Sequence, residues 1–320
     1  MEKKTILITG SSGFIGFHLA QALLAEGHTV IGIDNENDYY DPTLKQARRE
    51  YLAQSHAFQF IKGDLVNRTT VDEVFEKTKP QLVFHLAAQA GVRYSFENPY
   101  AYIDSNIVWF HNVLIAAASH KVEKFFYASS ASIYWSNEKR PFAVGDMTDA
   151  PISLYGATKK ANELIAHAIT HMYGMPTMGL RFFNVYWPRW RPDGAFFIFT
   201  QGILEQTPIT VYNHGKSLRN FTYIDDVIDA MMQLKNIHFT HHVVNIGNTL
   251  SVLLDDMISA LEKACGMPAI KEYAPLQPTD IAESEVDISH TQALIDWTPR
   301  VPVHEGVVAL VDRRREYYKK

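Results

Sequence analysis

Cysteine occurs once, at Cys265, so no disulfide can form within the chain and a reducing compartment is expected. Long apolar runs are missing as well. The most hydrophobic helical stretch, Asn106 to Ala118, is interrupted by His111 and Asn112 and is too short to span a bilayer. Met1-Glu2-Lys3-Lys4 leads directly into a strand-like Thr5-Ile6-Leu7-Ile8 without a signal-peptide pattern, which makes a cytoplasmic location the expectation. Nor is there a basic excess: the formal net charge is −5, so neither nucleic acid nor an anionic membrane is expected as a partner. An anionic ligand would have to be held by a few local arginines. Internal repeats and low-complexity segments are absent, and no metal site is expected.

What remains is an ordinary globular composition. Hydrophobic residues make up 47% and charged residues 20% of 320, ample for one large domain or two interlocked ones. The first half alternates short β-branched runs with amphipathic helices. Residues 6–8, 29–33, 58–61, 82–86 and 124–128 read as buried strands, and 15–26, 70–77 and 103–119 carry helical spacing. Residues 177–185 and 243–246 read as later strands of the same sheet. This alternation predicts a parallel α/β sheet covered on both faces. Beyond Arg181 proline becomes frequent, and fewer, shorter helices are expected, in a small lobe closing over a ligand. The division expected is a dinucleotide-binding domain over 1–180, with returning segments near 220–248, and a mainly substrate-binding lobe over 181–320.

Gly10-Ser11-Ser12-Gly13-Phe14-Ile15-Gly16 joins the first strand to the first helix. The spacing G-x-x-G-x-x-G permits a tight turn, close approach of backbone to a pyrophosphate, and a helix N-terminus aimed at the phosphates. Asp34 ends the second strand, where a carboxylate would bond the adenosine ribose hydroxyls and repel a 2′-phosphate, favouring NAD over NADP. Asp64 follows the third strand and reads either as an adenine contact, with Leu65, or as a turn residue. Leu86-Ala87-Ala88-Gln89 places small residues where a cofactor would lie close to the backbone.

Tyr155 and Lys159 are spaced i, i+4 and so share one helix face. A phenol is a weak base at neutral pH, and a neighbouring ammonium favours its ionised form. The lysine could also hold the nicotinamide ribose. Upstream, Tyr127-Ala128-Ser129-Ser130-Ala131-Ser132-Ile133-Tyr134 runs a strand into a serine-rich turn at the carboxyl end of the sheet, the edge where ligands bind in open α/β folds.

These elements together resemble the extended short-chain dehydrogenase/reductases, and among them the nucleotide-sugar epimerases and dehydratases. The resemblance covers almost the whole chain. It implies a doubly wound Rossmann sheet with a smaller C-terminal lobe, and a catalytic set of Ser130, Tyr155 and Lys159, with Ser132 as a further substrate contact. Cofactor contacts are implied at Gly10, Gly13, Phe14, Ile15, Gly16, Asp34, Asp64, Leu65, Ala87, Ala88, Gln89 and Asn106, besides Tyr155 and Lys159. Longer stretches are similar to the UDP-glucuronate 4-epimerase branch: 87–95, Asn98-Pro99, 102–106, 153–163, Leu180-Arg181-Phe182-Phe183, Arg191-Pro192-Asp193 and 220–226. That branch implies NAD-dependent inversion at C4 of a UDP-sugar, UDP-glucuronate to UDP-galacturonate, through a 4-keto intermediate. Arg191 and Arg219 are the candidates for the uronate and diphosphate charges, because a guanidinium fork suits both anions. Arg93, Asn184, Gln277 and Asp280 complete the substrate-binding expectation. A homodimer is implied through helices from about Tyr100 to Ser119 and Lys159 to Met172. Ile107, Phe110 and Leu114 offer apolar surface for it, unless the chain's own core takes them.

The chain departs from the pattern in several places. Trp135 and Trp187 stand where glycine is usual, and Thr279 does likewise in the late loop. Asn184 replaces the branch's usual threonine and matches UDP-galactose 4-epimerases, while Trp190 and Gly194 also differ. Three other activities therefore stay open: a UDP-glucose/galactose 4-epimerase, a UDP-glucuronate decarboxylase, and a non-catalytic NAD-binding regulatory protein. The intact Ser130, Tyr155 and Lys159 set argues against the last.

Overall fold

Strand and helix alternation builds a doubly wound α/β domain in the computed structural model, which describes residues 2–186, 194–277 and 280–318, with side chains as far as residue 312. The strands are β1 Thr5–Thr9, β2 Thr29–Asp34, β3 Phe58–Lys62, β4 Leu82–His85, β5 Lys124–Ser130, β6 Thr177–Phe182, β7 Val185–Tyr186, β8 Ile209–Tyr212, β9 Leu218–Asn220, β10 Thr222–Tyr223, β11 His241–Ile246, β12 Ser251–Leu253, β13 Lys271–Ala274 and β14 Glu283–Ser284. The α-helices are α1 Phe14–Ala25, α2 Pro42–Leu52, α3 Arg68–Thr78, α4 Tyr94–Glu97, α5 Pro99–Tyr102, α6 Trp109–Ser119, α7 Leu154–Tyr173, α8 Ala195–Glu205, α9 Ile224–Leu234, α10 Leu254–Cys265, α11 Ser289–Leu294 and α12 Val303–Tyr318.

Seven parallel strands form the central sheet in the order β11-β6-β5-β4-β1-β2-β3. The chain winds outward from β1 through β2 to β3, then returns to place β4 on the other side of β1. That reversal opens a crevice at the carboxyl ends of β1 and β4, the place where such sheets bind ligands.

Side chains alternate across the sheet. Ile6 and Ile8 of β1 enter one core with Phe17 and Leu23 of α1 and Val227 and Met231 of α9. Leu7 enters the other, with Phe75 of α3, Phe110 and Val113 of α6 and Ile169 of α7. Each fully buried Leu, Ile or Phe contributes roughly 1.5–3 kcal/mol, so the two cores hold the sheet rigid beneath the crevice. A third core joins Phe196 and Ile203 of α8, Val211 of β8, Met257 and Leu261 of α10 and Val307 of α12 in the lobe. Short strand pairs edge this lobe: β8 with β13, β9 with β12 and β14, and β7 with β10.

Four expectations are corrected. The chain beyond Arg181 is not poor in helices, since α8, α9 and α10 run for 11, 11 and 12 residues and α12 for 16. Helix α2 is additional to the reading above. Its signal was present in Asp41-Pro42-Thr43, where Asp41 accepts from the Thr43 N–H at 2.9 Å and proline occupies the first turn. The single helix expected over 103–119 opens with a π-helical turn at Ile103–Val108 before α6 begins. Finally, Phe110 and Leu114 are wholly buried in the chain's own core and offer no surface to a partner. Among the described residues no helix is long and apolar enough to cross a membrane.

Candidate active site

The turn after β1 is built around the absence of side chains. Gly10 has φ +73°, and a Cβ there would lie 2.7 Å from the Ala87 amide nitrogen. At Gly16 a Cβ would meet the Gly10 carbonyl oxygen at 2.2 Å. Alanine at either position would force the turn apart. Gly13 is the N-cap of α1 and has no side-chain cap, so the first turn of the helix presents bare backbone to the crevice, as a pyrophosphate requires. Asp34 lies beside it. Its carboxylate accepts from the Ser12 amide at 3.1 Å and the Glu36 amide at 2.8 Å, and burial pushes its pKa up. This cradle fits a dinucleotide.

A cleft of about 1200 Å³ runs from this turn to the lobe. Gly10, Gly13, Phe14, Ile15, Gly16, Asp34, Leu65, Ala87, Ala88 and Gln89 all line it. Two expected cofactor residues do not. Asp64 is exposed and accepts from the Val66 amide at 2.9 Å and the Asn35 side chain at 3.2 Å, so it acts as the turn residue. Asn106 is 1% exposed and grips Gln89 instead, accepting from its N–H at 2.9 Å and donating to its carbonyl at 3.0 Å. The π turn at 103–108 carries this side chain under the strand-end loop, where it also donates to Thr158 Oγ1 at 3.0 Å.

Further along, Ser130, Ser132, Tyr155 and Lys159 line the same cleft. Ser130 closes β5, and its Oγ accepts from the Ser132 amide at 3.2 Å and the Ser132 hydroxyl at 3.0 Å. Ser153 caps α7 by accepting from the Gly156 N–H at 3.0 Å, which sets Tyr155 and Lys159 on the first turns of that helix. The Lys159 ammonium donates to the Ala128 carbonyl at 2.9 Å and sits 6.0 Å from the centre of the Tyr155 ring. Burial lowers the Lys159 pKa to about 7. Tyr102 packs edge-on against Tyr155, with ring centres 6.1 Å apart.

The lobe contributes Asn184, Arg219, Gln277 and Asp280 to the cleft, and Arg93 faces in from the β4 side. Arg219 is tied down. It donates to Asp280 Oδ1 at 2.8 Å, to the Ile281 carbonyl at 2.6 Å, and to the Leu218 and Ala282 carbonyls at 3.0 Å each. Burial lowers its pKa, opposed by Asp280. Arg93 lies over the Tyr212 ring at 4.8 Å. Trp135 packs on the core and also lines the cleft. Arg191, Trp187, Trp190 and Thr279 fall outside the described residues. No group of three or more His, Cys, Asp or Glu side chains that could hold a metal occurs among the described residues.

A model of the NAD dependent epimerase/dehydratase family matches residues 6–247. The chain belongs to that family. The CapI protein of Staphylococcus aureus is 44% identical over 98% of this chain and 99% of its own length. A probable UDP-glucuronate 4-epimerase of Rhizobium meliloti is 40% identical over 98% of each. The crystal structure of UDP-glucuronic acid 4-epimerase from Bacillus cereus, in complex with UDP-glucuronic acid and NAD, superposes with a TM-score of 0.92 at 34% identity. It covers 98% of this chain and 100% of that one.

In this epimerase/dehydratase-family chain, one functional layer was missed by reading the sequence. Behind Ser130 and Lys159, Arg181 of β6 and Glu163 of α7 form a buried pair at 2.7 Å, each side chain 5% exposed. Glu163 also accepts from Ser129 at 2.6 Å, and Arg181 donates to Tyr134, which in turn donates to Asn245 at 2.8 Å. The pair ties the helix bearing Tyr155 and Lys159 to β6, and the Ser129 bond ties the same helix to β5, the strand that ends in Ser130. A signal existed: Glu163 falls one turn past Lys159 on the same helix, and Arg181 is a charge inside a strand.

Proposed function

We propose that this family member is an NAD-dependent 4-epimerase of a UDP-sugar, with UDP-glucuronate as substrate and UDP-galacturonate as product. The observation that carries this is the single cleft shared by the glycine turn, the Ser130, Tyr155 and Lys159 set, and the arginines Arg93 and Arg219. The names of the Rhizobium meliloti and Bacillus cereus relatives support the choice of sugar.

When bound, NAD supplies the hydride acceptor and donor at C4. Tyr155 takes the proton of the C4 hydroxyl and later returns it, a transfer typically worth 10²–10⁴-fold. Ser130, fixed by Ser132, orients that hydroxyl, and Ser132 meets the sugar. Lys159 holds the nicotinamide ribose and the charge balance at Tyr155. The 4-keto sugar turns over between the two hydride transfers, so no net oxidation occurs. Asp34 accepts from the adenosine ribose hydroxyls and disfavours a 2′-phosphate. Gln277 and Asp280 serve the nucleotide ribose.

A uronate and a diphosphate carry about three negative charges, costly to bury unless paired. Arg219, already held by Asp280, meets the diphosphate, Arg191 the sugar carboxylate, and Arg93 and Asn184 the space between. The protein works in the cytoplasm as a homodimer. Its contact is made by exposed Tyr100 and Ile103 with Leu164 and Met172 of α7, replacing the buried Phe110 and Leu114.

Incubation with UDP-glucuronate and product analysis by NMR tests the reading. UDP-galacturonate with little CO₂ is the expected result. A UDP-pentose with CO₂ would make it a decarboxylase, and conversion of UDP-glucose alone would move it to the neutral-sugar epimerases.

A further inference from the structure

The loop after β2 reaches across the cleft. Tyr39 in that loop and Tyr94 of α4 pack with ring centres 4.7 Å apart, and both line the cleft. In the sheet, β1 lies between β2 and β4. A contact between the segment following β2 and the segment following β4 therefore spans the strand between them, whose carboxyl end carries the glycine turn.

Both ends of this bridge are anchored. On the β2 side, Lys45 donates to Asn37 through its carbonyl at 2.8 Å and its side-chain oxygen at 2.6 Å, and lies 4.5 Å from the Tyr40 ring. Arg48 donates to the Ser12 carbonyl at 3.0 Å and the Tyr40 hydroxyl at 3.3 Å, joining the loop to the glycine turn itself. On the β4 side, Tyr94 packs against Tyr102, whose hydroxyl donates to the Ala90 and Gly91 carbonyls. A ring contact between two held segments resists opening better than one between mobile loops, because little further ordering is needed to keep it closed.

We infer that Tyr39 and Tyr94 form a clasp over the glycine turn that retains the dinucleotide from one turnover to the next. It rests on the dinucleotide reading of the cleft. A reaction without net redox change never needs to exchange its cofactor, so slow release does not limit turnover.

The test uses the purified holoprotein. Each form is gel-filtered into cofactor-free buffer, and protein-bound NAD is measured over time after acid release. Tyr39→Ala and Tyr94→Ala should each release NAD roughly three- to ten-fold faster than wild type, the range an aromatic pair supports. The double variant should be no faster than either single one, because both remove the same contact. Tyr39→Phe keeps the ring and should behave as wild type, which a general weakening of the loop would not reproduce on its own. Wild-type release rates in both alanine variants, or multiplying effects in the double variant, would overturn the clasp. Wild type that neither carries nor takes up NAD would overturn the dinucleotide reading and the clasp with it.

Discussion

The wall of the cleft made by β5 and α7 and the wall made by the lobe hold their polar groups differently. On the first, Ser130 is bonded to Ser132, Lys159 to the Ala128 carbonyl, and the buried Arg181–Glu163 pair braces both from behind. These bonds join regular elements of one sheet and its covering helix. On the second wall, Arg219 leans on Asp280 and on carbonyls of the segment from Ile281 to Ala282, Tyr212 takes Arg93 over its ring from the β4 side, and Asn184 is exposed. Proton transfer needs groups fixed in advance of the reaction, since any reorganisation adds to the barrier. Substrate choice can be carried by loops that vary while the chemistry stays the same. The rigid wall should therefore govern rate and stability, and the lobe wall should govern which sugar is taken.

The strongest test of that division is Tyr155→Phe. Turnover should fall about 10²–10⁴-fold while NAD remains bound, measured by product NMR alongside NAD content. More than about a tenth of the wild-type rate would place the proton transfer elsewhere.

Glu163→Gln attacks the same wall without touching the cleft. It leaves the Arg181 guanidinium buried beside a neutral amide, and should lower stability by about 3–5 kcal/mol in denaturant unfolding. A loss below about 1 kcal/mol, the size of a surface pair, would mean that the two walls are held alike.

Arg219→Ala acts on the other side. Removing a charged donor should raise KM by tenfold or more, from an interaction worth about 1.5–3 kcal/mol, and equally for UDP-glucuronate and UDP-glucose. Arg191→Ala should affect UDP-glucuronate more, because only that sugar brings the carboxylate. A reversed pattern would exchange the two arginines' roles.

The smallest effect concerns Lys159 in the ligand-free protein. Its folded pKa is lowered to about 7 by burial, against 10.5 for a free lysine. Between those values the unfolded chain holds the proton and the folded chain does not, so stability from this group rises as pH climbs from about 7 toward 10.5. The gain is roughly 1 kcal/mol per pH unit. Lys159→Met should remove that slope, read as the difference between the two proteins' melting temperatures at pH 7 and pH 8.5. Identical slopes would mean the ammonium is solvated after all.

Much of the site was readable because its signals are local. The glycine turn, Asp34 at a strand end, and Tyr155 with Lys159 on one helix face each depend on spacing within a few residues. Asp64 and Asn106 show the limit of such reading. Both stand at plausible positions, yet Asp64 spends its carboxylate on its own turn, and Asn106 is carried under the Gln89 backbone by a π turn that periodicity does not reveal. The apolar residues Phe110 and Leu114 fitted a subunit interface as well as a core, since burial against one's own sheet and burial against a partner demand the same side chains.

The sequence by itself determined the parallel α/β sheet, the glycine turn after β1 and the placing of Tyr155 and Lys159 on one helix face, because strand periodicity, glycine spacing and i, i+4 pairing are written within short windows. Only the tertiary structure decided that Glu163 braces Arg181, that Asp280 pins Arg219, and that the cleft-lining rings of Tyr39 and Tyr94 meet. Arg219 and Asp280, and Tyr39 and Tyr94, are far apart in the chain, while Glu163 and Arg181 lie on consecutive elements whose packing brings the two charges together. For Tyr39 and Tyr94 the partner is chosen by the order of strands in the sheet, which brings the ends of β1, β2 and β4 side by side, and a contact set by strand order leaves no mark in the spacing of residues along the sequence.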